Sequence, residues 1–190
     1  MSSAPEFTIT YRIDPRDRIV AVCDNWEAFA QANDGASVFS GKVLGRPLWD
    51  FIRDATVSQL YRHLVARARG GRAVEFHYRC DSPTERRAFL MRIEQLRDGE
   101  IEFRSRLQSS ETRPAVALVD AQTPRNASTL RVCSWCQRIG VDGYGWIEVE
   151  TAVERLGLLE AETLPALTHG ICPPCLGGMD RLLREWPGIG

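Results

Sequence analysis

Residues 133–136 read Cys-Ser-Trp-Cys, and residues 172–175 read Cys-Pro-Pro-Cys. In each pair two residues separate the cysteines, a spacing that directs two sulfur atoms toward one point. Two such pairs supply the four thiolates of a tetrahedral zinc site and leave no coordination position for a catalytic water. We therefore predict a structural Zn²⁺ whose ligands are Cys133, Cys136, Cys172 and Cys175.

His169 lies three residues before the second cysteine pair and is an alternative zinc ligand. Since four cysteines are already available, we expect its imidazole to lie beside the thiolates. From there it would orient the ligands without binding the metal itself.

The cysteines are also consistent with two disulfides, with a redox-active thiol pair, or with a thiol switch in which oxidation expels the zinc. Residues 1–6 lack the basic start and apolar run of a signal peptide. No apolar segment of the sequence approaches the ~20 residues that span a bilayer. We therefore expect a cytoplasmic protein without a membrane partner, in which reduced thiols favour metal binding.

Charge argues against a nucleic-acid partner. The chain has 24 Lys and Arg against 25 Asp and Glu, and acidic residues outnumber basic ones after residue 110. A ribbon that binds DNA or RNA would carry a basic surface. A nucleic-acid-binding zinc ribbon is accordingly the second alternative, after the thiol switch.

Before the cysteines, five segments are predicted to be strands: apolar and polar residues alternate in four of them, as in half-buried strands, and residues 18–23 form the second strand of a hairpin. The segments are 7–13, 18–23, 74–80, 89–93 and 101–107. Between the second and third segments, apolar residues recur at helical spacing from Val57 to Ala68, and Gly70 and Gly71 follow. This order predicts an α+β fold, in which helices cover one face of a five-stranded antiparallel sheet.

Three stretches of this region carry a family resemblance. They are Tyr11-Arg12-Ile13-Asp14, Ile19-Val20-Ala21-Val22-Cys23-Asp24-Asn25-Trp26 and Gly45-Arg46-Pro47-Leu48-Trp49-Asp50-Phe51-Ile52. In their order and spacing, residues 7–108 resemble a PAS domain, a sensory module common in bacterial signalling proteins. The resemblance implies a sensor that binds a small ligand or mediates homodimerisation.

The helices between the second and third strands leave a pocket against the sheet, which either holds a ligand or is filled by core side chains. Its predicted aromatic lining is Tyr11, Trp26, Trp49, Phe76, Tyr78, Phe89 and Phe103.

Haem and flavin are not expected in this pocket. A haem would need a nearby histidine, but His63 lies off the apolar stripe of its helix, and strand alternation points His77 away from Phe76. A flavin photoreceptor of the PAS class would place a cysteine after Gly-Arg-Asn, whereas residues 45–48 read Gly-Arg-Pro-Leu. The sequence also has no catalytic triad order, phosphate-binding glycine loop or kinase motif, so we expect no enzymatic activity.

The C-terminal region resembles a tail that recurs behind PAS and receiver domains in bacterial signalling proteins. The matching residues are Cys133, Trp135, Cys136, Arg138, Ile139, Trp146, His169, Gly170, Cys172, Pro173 and Cys175. The resemblance implies a small metal-binding module that is coupled to sensing, and we expect this module to contact a signalling partner.

The predicted organisation thus has three parts. Residues 1–108 form the PAS-like sensor, and residues 109–129 form a linker rich in Ser, Thr and Pro. Residues 130–190 form a four-cysteine module, similar to a zinc ribbon or knuckle, with a C-terminal helix. Together they predict a non-catalytic bacterial signal-transduction protein.

Overall fold

The computed structural model of the chain describes residues 7–33 and 35–184. Its strands are β1 (Thr8–Ile13), β2 (Ile19–Val22), β3 (Val74–Arg79), β4 (Glu85–Gln95), β5 (Ile101–Thr112), β6 (Arg125–Cys133), β7 (Ile139–Val141), β8 (Gly145–Ile147) and β9 (Leu164–Gly170). Its α-helices are α1 (Trp26–Ala32), α2 (Ser40–Val43), α3 (Ala55–Arg69), α4 (Val149–Arg155) and α5 (Pro173–Arg184). Short 3₁₀ turns occupy Ala36–Val38, Leu48–Phe51 and Ala117–Val119.

The chain divides into two compact units. The first consists of Met1–Tyr78 and Ala88–Ser109, and the second of Arg79–Arg87 and Ser110–Gly190. The ends of the two predicted domains, residues 1–6 and 185–190, lie outside the described residues.

The first unit contains a five-stranded antiparallel sheet in the order β2-β1-β5-β4-β3, and it has the predicted α+β composition. Alternation along the strands gives the sheet one apolar and one polar face. In β5, Ile101 and Phe103 are fully buried, whereas Arg104 between Phe103 and Ser105 is exposed. The hydrophobic core of this unit therefore lies on a single face of the sheet.

Helices α1 and α3 pack on that apolar face. The Asp54 side chain caps α3 by accepting a 2.9 Å hydrogen bond from the Val57 N–H. The predicted stripe from Val57 to Ala68 is buried, and Tyr61 contacts Phe76 edge-on at a ring-centroid distance of 6.3 Å. Gly71, whose φ is +78°, follows the helix and lets the chain turn toward β3.

The second unit contains a four-stranded sheet in the order β8-β7-β6-β9. β6 pairs antiparallel with β7 but parallel with β9, and the ladder between β6 and β9 runs up to Cys133 opposite Gly170. Helix α4 contributes to a compact aliphatic core. The buried members of this core are Val116, Leu118, Val132, Ile139, Val141, Val149, Ala152, Val153 and Leu164.

The structure differs from the predicted linker at residues 109–129. β5 continues to Thr112, β6 already begins at Arg125, and residues 110–129 belong to the second unit. Val116 and Leu118 are 8% and 0% exposed in the core of that unit. The apolar run 115–119 within this polar stretch predicts a strand or a helix against the sensor, whereas its buried side chains belong to the core of the second unit.

Among the described residues, no helix is both long enough and apolar enough to cross a bilayer.

Candidate metal centre

The first cysteine pair lies in the turn that follows β6. The Cys133 N–H donates to the Arg138 carbonyl at 2.8 Å, and the Gln137 N–H donates to the Cys133 carbonyl at 3.0 Å. Gln137 takes a φ of +60°, a left-handed conformation that reverses the chain direction here. These bonds hold Cys133 and Cys136 on the same side of the turn.

The second cysteine pair lies at the start of helix α5 and not in a knuckle-like turn. Pro173 is the first helical residue, a position that suits proline because its missing N–H has no partner within the helix. The Leu176 N–H donates to the Cys172 carbonyl at 2.9 Å, which closes the first turn around Cys175.

The turn and the helix bring the four predicted cysteines together. Their Sγ atoms lie within 4.8 Å of one another, and those of Cys136 and Cys172 are 3.7 Å apart. A tetrahedral zinc with Zn–S bonds of about 2.3 Å separates its sulfurs by about 3.8 Å. Cys133 and Cys172 are buried, and the Cys172 N–H points at the Cys133 sulfur from 3.4 Å. The four thiols therefore fit a metal ion such as structural zinc.

The close approach of the thiols shifts the pKa values of three of them. A hydrogen bond from the Cys136 thiol, supported by backbone N–H groups, lowers the pKa of Cys133 to about 4 against the opposing effect of burial. The same hydrogen bond and burial raise the pKa of Cys136, and burial raises that of Cys175 to about 12. A cation at the centre would offset the repulsion between neighbouring thiolates, so metal binding would displace the protons that Cys136 and Cys175 retain.

His169 is placed apart from this group of sulfur ligands. It lies in β9 opposite Val132, its side chain is exposed, and it is not a member of the four-cysteine cluster.

The first unit contains a cavity of about 240 Å³ against the apolar face of its sheet. Its lining is Tyr11, Ile19, Trp26, Val38, Val43, Leu48, Phe51, Ile52 and Tyr61. The Trp26 indole N–H donates to the Val38 carbonyl at 2.7 Å, and burial raises the pKa of Tyr61 to about 12. The wall is thus uncharged at neutral pH.

Only two of the seven predicted pocket residues, Tyr11 and Trp26, line this cavity. Phe103 stacks on Tyr11 with ring centroids 4.5 Å apart, and Tyr78 stacks on Phe89 at 5.5 Å. With Phe76, these rings form packed core, because strand alternation directs them to the inner face of the sheet.

Trp49 differs from the expectation more strongly, since it lies outside the cavity lining. Its indole N–H donates to the Asp17 carboxylate at 2.8 Å, and the Arg62 guanidinium lies 4.0 Å from the ring centroid. Both contacts hold the indole in a polar setting. Most of the cavity lining is aliphatic, and the sequence does not distinguish aliphatic residues that line a cavity from those that fill the core.

The structure also places the two histidines considered for haem. His63 and His77 are both exposed, as the helical and strand periodicities predicted.

A scan against protein-family models and a search of the curated proteins each found no match for this chain.

Proposed function

We propose that this protein is a non-catalytic, cytoplasmic signal-transduction protein of bacterial type, with a PAS-like sensor and a zinc-stabilised module that contacts a signalling partner. The observation that carries the proposal is the cluster of four thiols within 4.8 Å. Four thiolates fill the tetrahedral coordination sphere of zinc and leave no position for water. The ion would therefore stabilise the fold and would not activate water.

Two features of the first unit support the PAS-like assignment. Two strands precede the helices and three follow them, and a cavity lies against the apolar face of the sheet. Its volume of about 240 Å³ is below the ~300 Å³ at which sites for drug-sized ligands begin. The sensor would therefore take a small, uncharged and largely apolar ligand, and not haem or flavin. A second copy of the chain is the proposed dimer partner.

Elemental analysis and an ultraviolet-visible spectrum of one purified sample test the proposal. We expect one zinc per chain and no absorption band beyond the protein's own. A protein isolated under reducing conditions that holds no metal at any of the four thiols would contradict the structural zinc. A haem or flavin spectrum would instead make the first unit the functional centre.

One observation favours a thiol switch as the second candidate function. The Cys136 and Cys172 sulfurs are only 3.7 Å apart. Hydrogen peroxide would take two electrons from these two thiolates, which form one S–S bond, and with two protons it would become two water molecules. The zinc would leave, because two of its ligands are lost. Zinc release and thiol loss at micromolar peroxide would favour this function over an inert site.

A further inference from the structure

The tip of the β3–β4 hairpin belongs to the same compact unit as the four cysteines. Residues Arg79–Arg87 cluster with Ser110–Gly190, although about 50 residues of sequence separate the tip from Cys133. Strands β3 and β4 continue from this tip into the five-stranded sheet. The tip is therefore a structural part of the unit that contains the four cysteines. No sequence pattern predicts this placement.

Arg113 holds the tip in position. Its guanidinium donates to the Ser82 carbonyl at 2.7 Å and to the Pro83 carbonyl at 3.3 Å. The backbone N–H of Arg113 donates to the Thr84 carbonyl at 2.8 Å. The Arg113 side chain is only 5% exposed, and it also meets the buried Asp81 carboxylate at 3.4 Å. A buried arginine with this many partners fixes the tip in one conformation.

Arg79 connects the tip to the first cysteine turn. Its backbone N–H donates to the carbonyl of Trp135, inside the Cys-Ser-Trp-Cys turn, at 2.7 Å. Its guanidinium donates to Glu148 at 2.7 Å, and Asp81 fixes the guanidinium from the other side.

Glu148 completes the connection. One of its oxygens accepts from Arg79 at 2.7 Å, and the other accepts from the Arg138 Nε at 2.9 Å. The Arg138 carbonyl in turn accepts the Cys133 N–H at 2.8 Å. A single carboxylate thus bridges an arginine of the hairpin tip and an arginine of the turn that positions the first ligand.

We propose that Glu148 is a positioning residue of the metal centre, which couples zinc binding at the four cysteines to the conformation of the β3–β4 hairpin tip. The inference rests on the proposed zinc site. Through this bridge, metal loss at the turn loosens the tip, and displacement of the tip weakens the metal. The hairpin strands would accordingly respond to the zinc state of the second unit.

Zinc competition with a chromophoric chelator tests the role of Glu148 in the full-length protein. We expect Glu148→Gln to weaken zinc binding about 5–10-fold, at or below the low end of the 10–100-fold seen for groups that touch a ligand directly. Glu154→Gln is the matched control, because Glu154 is exposed on α4, the short helix that Glu148 precedes, and the substitution removes the same charge. We expect the control to bind zinc like the wild type.

Two further readouts separate positioning from general destabilisation. With Co²⁺ in place of zinc, Glu148→Gln should shift the thiolate-to-metal bands, whereas Glu154→Gln should not. In a double-mutant cycle, Arg79→Gln and Glu148→Gln should have less than additive effects on zinc affinity, because each breaks the same bridge. Unshifted bands or fully additive effects would refute the positioning role.

Hydrogen exchange in the wild type requires no variant. Removing zinc should speed exchange of the Arg79 N–H and of amides 80–87 more than that of amides in β1 and β2. If the wild type binds no zinc, the proposed function itself fails. If zinc binds but Glu148→Gln and Glu154→Gln have the same zinc affinity, only the coupling is overturned. The same holds if removing zinc leaves the exchange rates at residues 79–87 unchanged.

Discussion

The two units of this chain are stabilised by different means. In the first, stacked aromatic rings and a 15-residue helix bury a continuous apolar face of the sheet. In the second, the core is aliphatic, and a four-thiol cluster and a set of ion pairs around Glu148 and Glu150 supplement it. Small domains with limited cores commonly need such cross-links. The comparison teaches that one chain can combine a unit stabilised mainly by aromatic packing with a unit whose smaller aliphatic core is supplemented by ion pairs and by four thiols that could hold a metal ion.

Loss of a zinc ligand should separate the two units most clearly. Cys172→Ser removes one of four thiolates, and structural zinc contributes on the order of 10 kcal/mol to folding in small zinc-binding domains. We expect residues 125–184 to lose protection against hydrogen exchange, while residues 8–78 and 88–109 of the first unit keep theirs. Cys23→Ser is the control, since Cys23 lies in the first unit and bonds to Asn25. Retained protection in the second unit would argue against metal dependence.

Truncation of an aromatic core side chain should destabilise the first unit and leave the second unit unchanged. Phe103 is fully buried and stacks on Tyr11, so Phe103→Ala should destabilise the first unit by about 3–5 kcal/mol. Urea unfolding followed by hydrogen exchange locates the effect. The exposed Val20 provides a comparison, because Val20→Ala should change stability by less than about 0.5 kcal/mol. An equal loss in both variants would show that the ring stack is not the core.

Leu118 tests whether the segment before β6 is part of the second core. Leu118→Ala should lower the unfolding free energy of the second unit by about 2–5 kcal/mol, because its side chain is fully buried. Thr112→Ala, at an exposed position earlier in the same segment, should have little effect. If the segment is a mobile linker, the two substitutions will be indistinguishable in urea unfolding.

Acid should weaken the ion pairs of the second unit. Hydrogen bonds from Arg86 and Arg113 lower the pKa of Glu150 to about 2, although burial opposes this shift. A lowered pKa gives stability that is present above the unfolded value of about 4.5 and is lost as the pH falls toward 2. Glu150→Gln should cost about 1 kcal/mol at pH 6, and this difference from the wild type should shrink by pH 3.

The difference between variant and wild type is the relevant measurement for Glu150, since thiol protonation would release the proposed zinc from both proteins equally. Glu154→Gln, at an exposed position of α4, should show no such dependence. A difference that stays constant from pH 6 to pH 3 would contradict the assigned ion pairs.

Local patterns predicted much of the first unit. The five segments predicted to be strands correspond to β1–β5, and the helical stripe from Val57 to Ala68 lies within α3. The four cysteines also converge as predicted, because their spacing is a local property of two short turns. Where chemistry follows from adjacent residues, the sequence alone is informative.

Long-range features were not predictable in the same way. β6 starts with polar residues, and β9 contains Pro165, which is compatible with its edge position but resembles a strand breaker in sequence. Arg79 and Glu148 are 69 residues apart, so each resembled an ordinary solvated charge. The aromatic residues chosen for the pocket were mostly core, because aromatic side chains fill space as readily as they line it.

The parallel pairing of β6 with β9 has a consequence for how the second unit assembles. The ladder ends at Cys133 opposite Gly170, and the proposed metal ligands Cys136 and Cys172 are 36 residues apart in the chain. Closing a flexible loop of this length has an entropic cost of about 3 kcal/mol in its length-dependent part. Because the strand pair and the ion close nearly the same loop, whichever forms first removes most of that cost for the other. Capture of the proposed metal and pairing of β6 with β9 should therefore occur as one cooperative event. Its rate should be limited by how fast the two cysteine pairs meet.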